Sequence, residues 1–170
     1  MRVEWLIVCL SLLAFPALAE KADRTKPVTV EADSVKVEDA KRIAVYEGHV
    51  VLTQGTLMMT ADRIDVQQDD KGFSLGTASG KPVYFRQKMD ARDEVAEGWA
   101  ERIVYDGRSD KLELHGQARL KRGEDELRGN KILYDASTEF YQAQGGGTGV
   151  HGRVRAVIQP KAAPPQGAKP

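Results

Sequence analysis

Residues 45–64 read VYEGHVVLTQGTLMMTADRI, and the pattern of this stretch decides the fold. Apolar side chains come in short runs, 44–46 (AVY), 50–52 (VVL), 57–59 (LMM) and 64–66 (IDV). The 64–66 run alternates apolar with polar, and polar residues separate the short apolar runs from one another. A period of two sends successive side chains to opposite faces of an extended strand, whereas a helix needs apolar residues three and four apart. Glu47-Gly48 and Gln54-Gly55 interrupt the runs, and an acidic or amide residue before glycine suits a turn. The stretch therefore predicts short antiparallel strands joined by turns.

The same grammar continues on both sides. Upstream lie 28–30 (VTV) and 35–37 (VKV). Downstream lie 73–75 (FSL), 83–85 (VYF), 103–105 (IVY), 112–114 (LEL), 118–120 (ARL), 132–134 (ILY) and 154–156 (VRA). Asp70-Lys71-Gly72, Ser79-Gly80, Asp106-Gly107 and Arg122-Gly123 provide further turn chemistry. Residues 89–102 alone could be considered for a helix, but Met89, Val95 and Trp99 are too sparse for a buried stripe. Many short strands separated by turn residues predict an all-β antiparallel fold.

Residues 32–66 superimpose on 100–134 without a gap. Ala32 meets Ala100, Asp33 meets Glu101, Gly48 meets Gly116, Leu52 meets Leu120, Gly55 meets Gly123, Asp62 meets Asn130 and Ile64 meets Ile132. Few positions are identical, but the apolar phase and the turn glycines stay in register together. A local signature recurs at Ala32, Ala61, Ala100 and Gly129: a small residue, an acid or Asn, any residue, Ile or Val, any residue, Val or Tyr. It is read as the start of a hairpin whose strand has one apolar face. Stacked repeats of such a unit cover each other's apolar faces.

The ends have a different character. Arg2, an apolar stretch from Trp5 to Phe15, and Ala17-Leu18-Ala19 form a secretory signal over residues 1–19, with cleavage expected after Ala19. The apolar run is shorter than the roughly 18–20 residues of a membrane span. The single cysteine, Cys9, lies in this segment, so the mature chain is expected to hold no disulfide. Residues 20–27 form a short arm, 28–159 the domain, and 160–170, rich in Pro and Gly, a solvated tail. Lys plus Arg and Asp plus Glu are each 25, for a net charge of 0. Nucleic-acid binding, which draws on phosphate neutralisation by a basic patch, is therefore not expected.

Candidate chemistry is thin. His49, His115 and His151 lack metal-ligand spacing, and 69–72 (DDKG) lacks the alternating oxygen ligands of a calcium loop. Residues 124–126 (EDE) read as a solvated hairpin tip. Residues 145–149 (GGGTG) lack the lysine of a phosphate loop and read as an approach to the last strand. No catalytic residue, metal or cofactor is expected.

The quoted stretch resembles the diagnostic block of the OstA-like lipopolysaccharide transport family. Residues 80–85 (GKPVYF) resemble a second block, 129–134 (GNKILY) a third, and 153–158 (RVRAVI) the closing strand. The resemblance spans roughly 27–160. It departs from the family in a shorter turn after residue 66 and in the glycine run at 145–149.

The resemblance implies an open, twisted antiparallel β-jellyroll of two facing sheets. Lipopolysaccharide would lie with its lipid A acyl chains in an apolar groove between the sheets. Phe85, Val28 and Val30 match family positions at or near the lipid, while Leu52, Ile64, Val66, Leu114 and Leu120 are groove-lining candidates that also serve as core. Protomers would stack head to tail. The first strand (Val28, Thr29, Val30, Glu31) of one would pair with the last (Arg153, Val154, Arg155, Ala156, Val157, Ile158) of the next, both strands being unpaired in the monomer. Implied partners are an inner-membrane anchored jellyroll component at the N-terminal edge and the N-terminal domain of the outer-membrane translocon at the C-terminal edge, all in the periplasm. The alternative is a secreted β-sandwich or jellyroll that binds or hydrolyses an envelope carbohydrate. It would require solvent-facing aromatics for sugar stacking or a facing carboxylate pair. Trp99, the one tryptophan outside the signal segment, is its main candidate.

Overall fold

The computed structural model of the chain describes residues 26–89, 94–109, 111–135, 138, 140–146 and 152–160. The expected signal segment, most of the expected arm, residues 147–149 of the glycine run, His151 and the expected tail beyond Pro160 lie outside the described residues. The elements are β1 (Val28–Glu31), β2 (Ser34–Glu38), β3 (Ile43–Gln54), β4 (Leu57–Asp69), β5 (Gly72–Lys88), β6 (Val95–Asp106), β7 (Lys111–Arg122), β8 (Asp125–Asp135), β9 (Phe140–Gln144) and β10 (Arg155–Val157). A single 3-10 turn joins β2 to β3. The stretch weighed as a helix, 89–102, enters β6 instead. Every pairing is antiparallel, and the main path runs β1-β3-β4-β5-β6-β7-β8-β10, with β2 on β3 and β9 on β8.

The sequence reading put turns at Glu47-Gly48 and Ser79-Gly80, and hairpin starts at Ala32, Ala61, Ala100 and Gly129. At five of these six sites the structure has bends within a strand. β3 pairs with β4 on both sides of Gly48, as Tyr46↔Ile64 and then Val50↔Ala61, with a register shift between Glu47 and Val50. β4 shifts between Thr60 and Arg63, β5 between Ser79 and Val83, β6 between Trp99 and Arg102, and β8 between Gly129 and Lys131, opposite His115 and Ala118 of β7. A chain that keeps the same neighbour before and after a glycine has been bent by an extra residue, not reversed. At the sixth site, Ala32-Asp33 separates β1 from β2, which both pair with β3. The expected turns at Gln54-Gly55, Asp70-Lys71, Asp106-Gly107 and Arg122-Gly123 do end strands.

The bends align across neighbouring strands into one crease, which folds the sheet into two facing layers. The first layer holds β1, the C-terminal halves of β3, β5 and β7, the N-terminal halves of β4, β6 and β8, and β10. The second holds β2, the other halves, and β9. Inward-facing positions change parity at the crease. In β4 they run Met59, Ala61, then Ile64, Val66, and in β6 Ala96, Ala100, then Ile103. The core between the layers contains Val50, Val83, Leu114 and Ile132, each at 0 % exposure. Full burial of such side chains contributes about 1.5–3 kcal/mol apiece.

The 32–66 and 100–134 halves repeat in detail. Gly48 and His49 have φ of 81° and 45°, and Gly116 and Gln117 have 76° and 47°. The acid of the preceding crease site lies against each bend, with His49 Nδ1 2.7 Å from Asp33 Oδ2 and Gln117 Nε2 donating to Glu101 Oε1 at 3.0 Å.

Candidate binding groove

Apolar side chains at positions 2 apart on bent strands converge between the layers, and near the end of the first layer they leave an open cavity of about 90 Å³. Val28, Leu52, Ile64, Phe85 and Leu120, all expected from sequence, line it. Val66 and Leu114 belong to the same core but do not line this space, and half-buried Val30 packs against that core. Phe85 faces Gly98 across the β5–β6 ladder, and a Cβ on Gly98 would overlap its ring. Glycine is needed there for the aromatic to lie flat against the first layer.

Sequence reasoning missed the aromatic wall on the second layer. Phe73 stacks with Tyr105 at 5.7 Å and Tyr134 with Tyr141 at 4.7 Å, and all four rings line the cavity. It also missed Lys88 and Arg122, the charged members of the lining. Its place before Gly123 suggests a turn, yet Arg122 continues the inward series Ala118, Leu120, Arg122. That spacing was the available signal.

The edge strands differ from expectation in one respect. β1 and β10 are not unpaired: Val30 pairs with Leu52, and Ala156 with Leu127. A short strand on its own cannot satisfy its backbone groups, so each adds to a neighbour and leaves only its outer side open. The closing strand is also shorter than 153–158, with Arg153, Val154 and Ile158 flanking it. Folding the sheet adds two edges that chain order did not reveal, β2 and β9. The large apolar side chains left exposed among the described residues are Val28, Val35, Val37, Phe140, Val154 and Ile158. All lie on or beside these four edge strands.

The outer face is polar and paired. Arg119 lies 4.5 Å from the centroid of the Trp99 ring and Tyr84 sits 5.3 Å from it, so protein already occupies the aromatic surface that the carbohydrate alternative called for. Glu126, expected at a solvated tip, instead receives Arg128 and Arg119, and these guanidiniums lower its pKa to about 2. The Asp33 carboxylate raises that of His49 by hydrogen bonding and charge. His115 contacts Glu113 at 2.9 Å. Among the described residues no three His, Cys, Asp or Glu side chains gather as a metal site would need, and no helix is long and apolar enough to cross a membrane.

Residues 29–140 match the family described as LptA/(LptD N-terminal domain) LPS transport protein. The chain is 34% identical over 151 residues to the lipopolysaccharide export system protein LptH of Pseudomonas aeruginosa, covering 85% of this chain and 86% of that one. It is 31% identical over 142 residues to the lipopolysaccharide export system protein LptA of Escherichia coli K12, covering 81% and 76%. The crystal structure of LptH, described as the LptA-homologous periplasmic component of the lipopolysaccharide transport device of P. aeruginosa, superimposes with a TM-score of 0.75. That match has 33% identity and covers 81% of this chain and 99% of that one.

Proposed function

Because the chain belongs to the LptA and LptD N-terminal-domain family of LPS transport proteins, we propose that it binds lipopolysaccharide in the periplasm and passes it from the inner toward the outer membrane. The observation that carries this reading is the cavity between two continuous layers, walled by Leu52, Phe85 and Leu120 on one side and stacked aromatics on the other. Burial of acyl chains there contributes about 0.8 kcal/mol per methylene. Binding and hand-over need no covalent step, so no catalytic residue, cofactor or metal is assigned. A secretory signal at residues 1–19 would bring the chain to its compartment.

Assembly follows from the ends. The main path has eight alternating strands, so β1 and β10 run in opposite directions. A second protomer placed by simple translation would therefore add β10 to β1 as one more antiparallel neighbour, and β9 to β2 likewise. Such β-augmentation covers open edges and joins the grooves end to end. By the same edges, an inner-membrane anchored jellyroll component would meet β1 and β2, and the N-terminal domain of the outer-membrane translocon would meet β9 and β10.

A photo-crosslinking amino acid at Phe85 should capture lipopolysaccharide, while one at exposed Lys71, in the β4–β5 turn, should not. Equal capture at both sites would refute the groove.

A further inference from the structure

The cavity opens to solvent between the ends of the two layers, where an acyl chain would enter. Arg122 bridges that opening. Arg122 ends β7 on the first layer, next in the inward series to Ala118 and Leu120, which are 1 % and 5 % exposed. Its Nη1 donates to Tyr141 Oη at 3.4 Å, and its guanidinium lies 6.0 Å from the Tyr141 ring. Tyr141 pairs with Tyr134 on the second layer. The contact therefore crosses from one lip of the groove to the other. Arg122 Nε also lies 3.5 Å from Glu94 Oε2.

A guanidinium directed at an apolar trough loses water and must recover it through anionic or acceptor partners. Its fork matches a phosphate as well as a carboxylate, through two parallel hydrogen bonds. A phosphate seated at the ~2.7–2.9 Å of a charge-assisted bond would lie closer to the guanidinium than Tyr141 Oη or Glu94 Oε2 does, and would compete with both. Lys88 is the other charged member of the lining.

On the footing of the lipid-carrier reading, we infer that Arg122 recognises the phosphate-bearing headgroup of the glycolipid. Its contact with Tyr141 is then the latch that the headgroup releases as the acyl chains enter. The ligand class is an acylated sugar phosphate, with chains between the layers and phosphate at the lip. The competing view is that Arg122 only extends its stem over apolar surface and caps the sheet. In that case the phosphate would not matter.

The test is equilibrium binding of bis-phosphorylated lipid A, and of the same lipid A after enzymatic dephosphorylation, to the mature protein, with excess inorganic phosphate as competitor. Wild type should prefer the phosphorylated lipid by about tenfold or more. Arg122→Gln should erase that preference while retaining affinity for the dephosphorylated lipid. Arg122→Lys should restore part of it, and Tyr141→Phe, which keeps the ring but removes the acceptor of the latch, should raise affinity for both lipids; unchanged or lowered affinity would overturn the latch. Matching circular dichroism and melting temperature would show that the variants fold. If Arg122→Gln keeps the preference, or wild type has none, the assignment to Arg122 is overturned while the lipid-carrier reading stands. If inorganic phosphate displaces the preference completely, the site is one for free anions and the headgroup assignment is overturned. Failure of wild type to bind either lipid would instead overturn the carrier reading itself.

Discussion

The Asp33 side chain fills the space that a Cβ on Gly48 would occupy, and Glu101 stands over Gly116 in the same way. Each glycine has positive φ and is followed by a second residue of positive φ, so the bend rests on two left-handed residues under one acid.

Gly48→Ala should therefore destabilise the fold by about 1–3 kcal/mol from left-handed strain alone, with the clash against Asp33 added. Asp33→Gly in the same chain should recover the clash but not the strain. Urea unfolding of the two single variants and the double variant separates the two contributions. Full recovery in the double variant would show that backbone strain plays no part.

Gly98→Ala should press a methyl into the Phe85 ring and lower stability by about 1–3 kcal/mol, as overpacking does. Phe85→Leu on that background should relieve most of the loss. An unchanged melting temperature for Gly98→Ala would mean that Phe85 does not lie against Gly98.

Self-association should depend on the second-layer edges as well as the first. Val35→Lys with Val37→Lys removes two valines that are 56 % and 58 % exposed and charges the edge. It should weaken association by about tenfold or more, since burying one valine is worth about 1.5–3 kcal/mol. Deleting residues 152–170 takes away β10 but leaves β9, and should weaken stacking without abolishing it. Sedimentation across a concentration series distinguishes these results from unaltered oligomers, which would contradict edge pairing.

Two titrations pull in opposite directions. Glu126 is held at about 2 by Arg128 and Arg119, below the ordinary 4.5. Its contribution is thus complete above pH 4.5 and is lost as pH falls toward 2. Glu126→Gln should cost about 0.5–1 kcal/mol at neutral pH and flatten that acid limb. His49 is raised above 6.5 by Asp33, so its contribution is complete below pH 6.5 and fades as pH rises through the folded value. Its ring resonance should titrate above 6.5 in the native protein and shift back toward 6.5 in Asp33→Asn.

Strand content was legible because one apolar face repeats every two residues, and the repeat was legible because Gly48 and Gly116 keep phase with Leu52 and Leu120. The bends were not. Gly48 and Gly55 both follow a polar residue, and only pairing across the sheet reveals that the first bends β3 while the second ends it. The groove residues Leu52, Ile64, Phe85 and Leu120 could be found as apolar positions. Arg122 broke the apolar pattern and was assigned to the turn beside Gly123. The edges β2 and β9 were hidden for another reason: chain order exposes a first and a last strand, but only folding the sheet on itself makes four.

The crease has a mechanical consequence. Six strands, β3 to β8, pass through it and belong to both layers, so widening the groove requires no ladder between neighbouring strands to come apart. Elastic work would concentrate in the few torsions at Gly48-His49, Gly80, Gly116-Gln117 and their neighbours, all moving together because they share one line. The protomer is then compliant across the crease and stiff along its length, like a folded sheet of paper that opens easily yet resists being stretched.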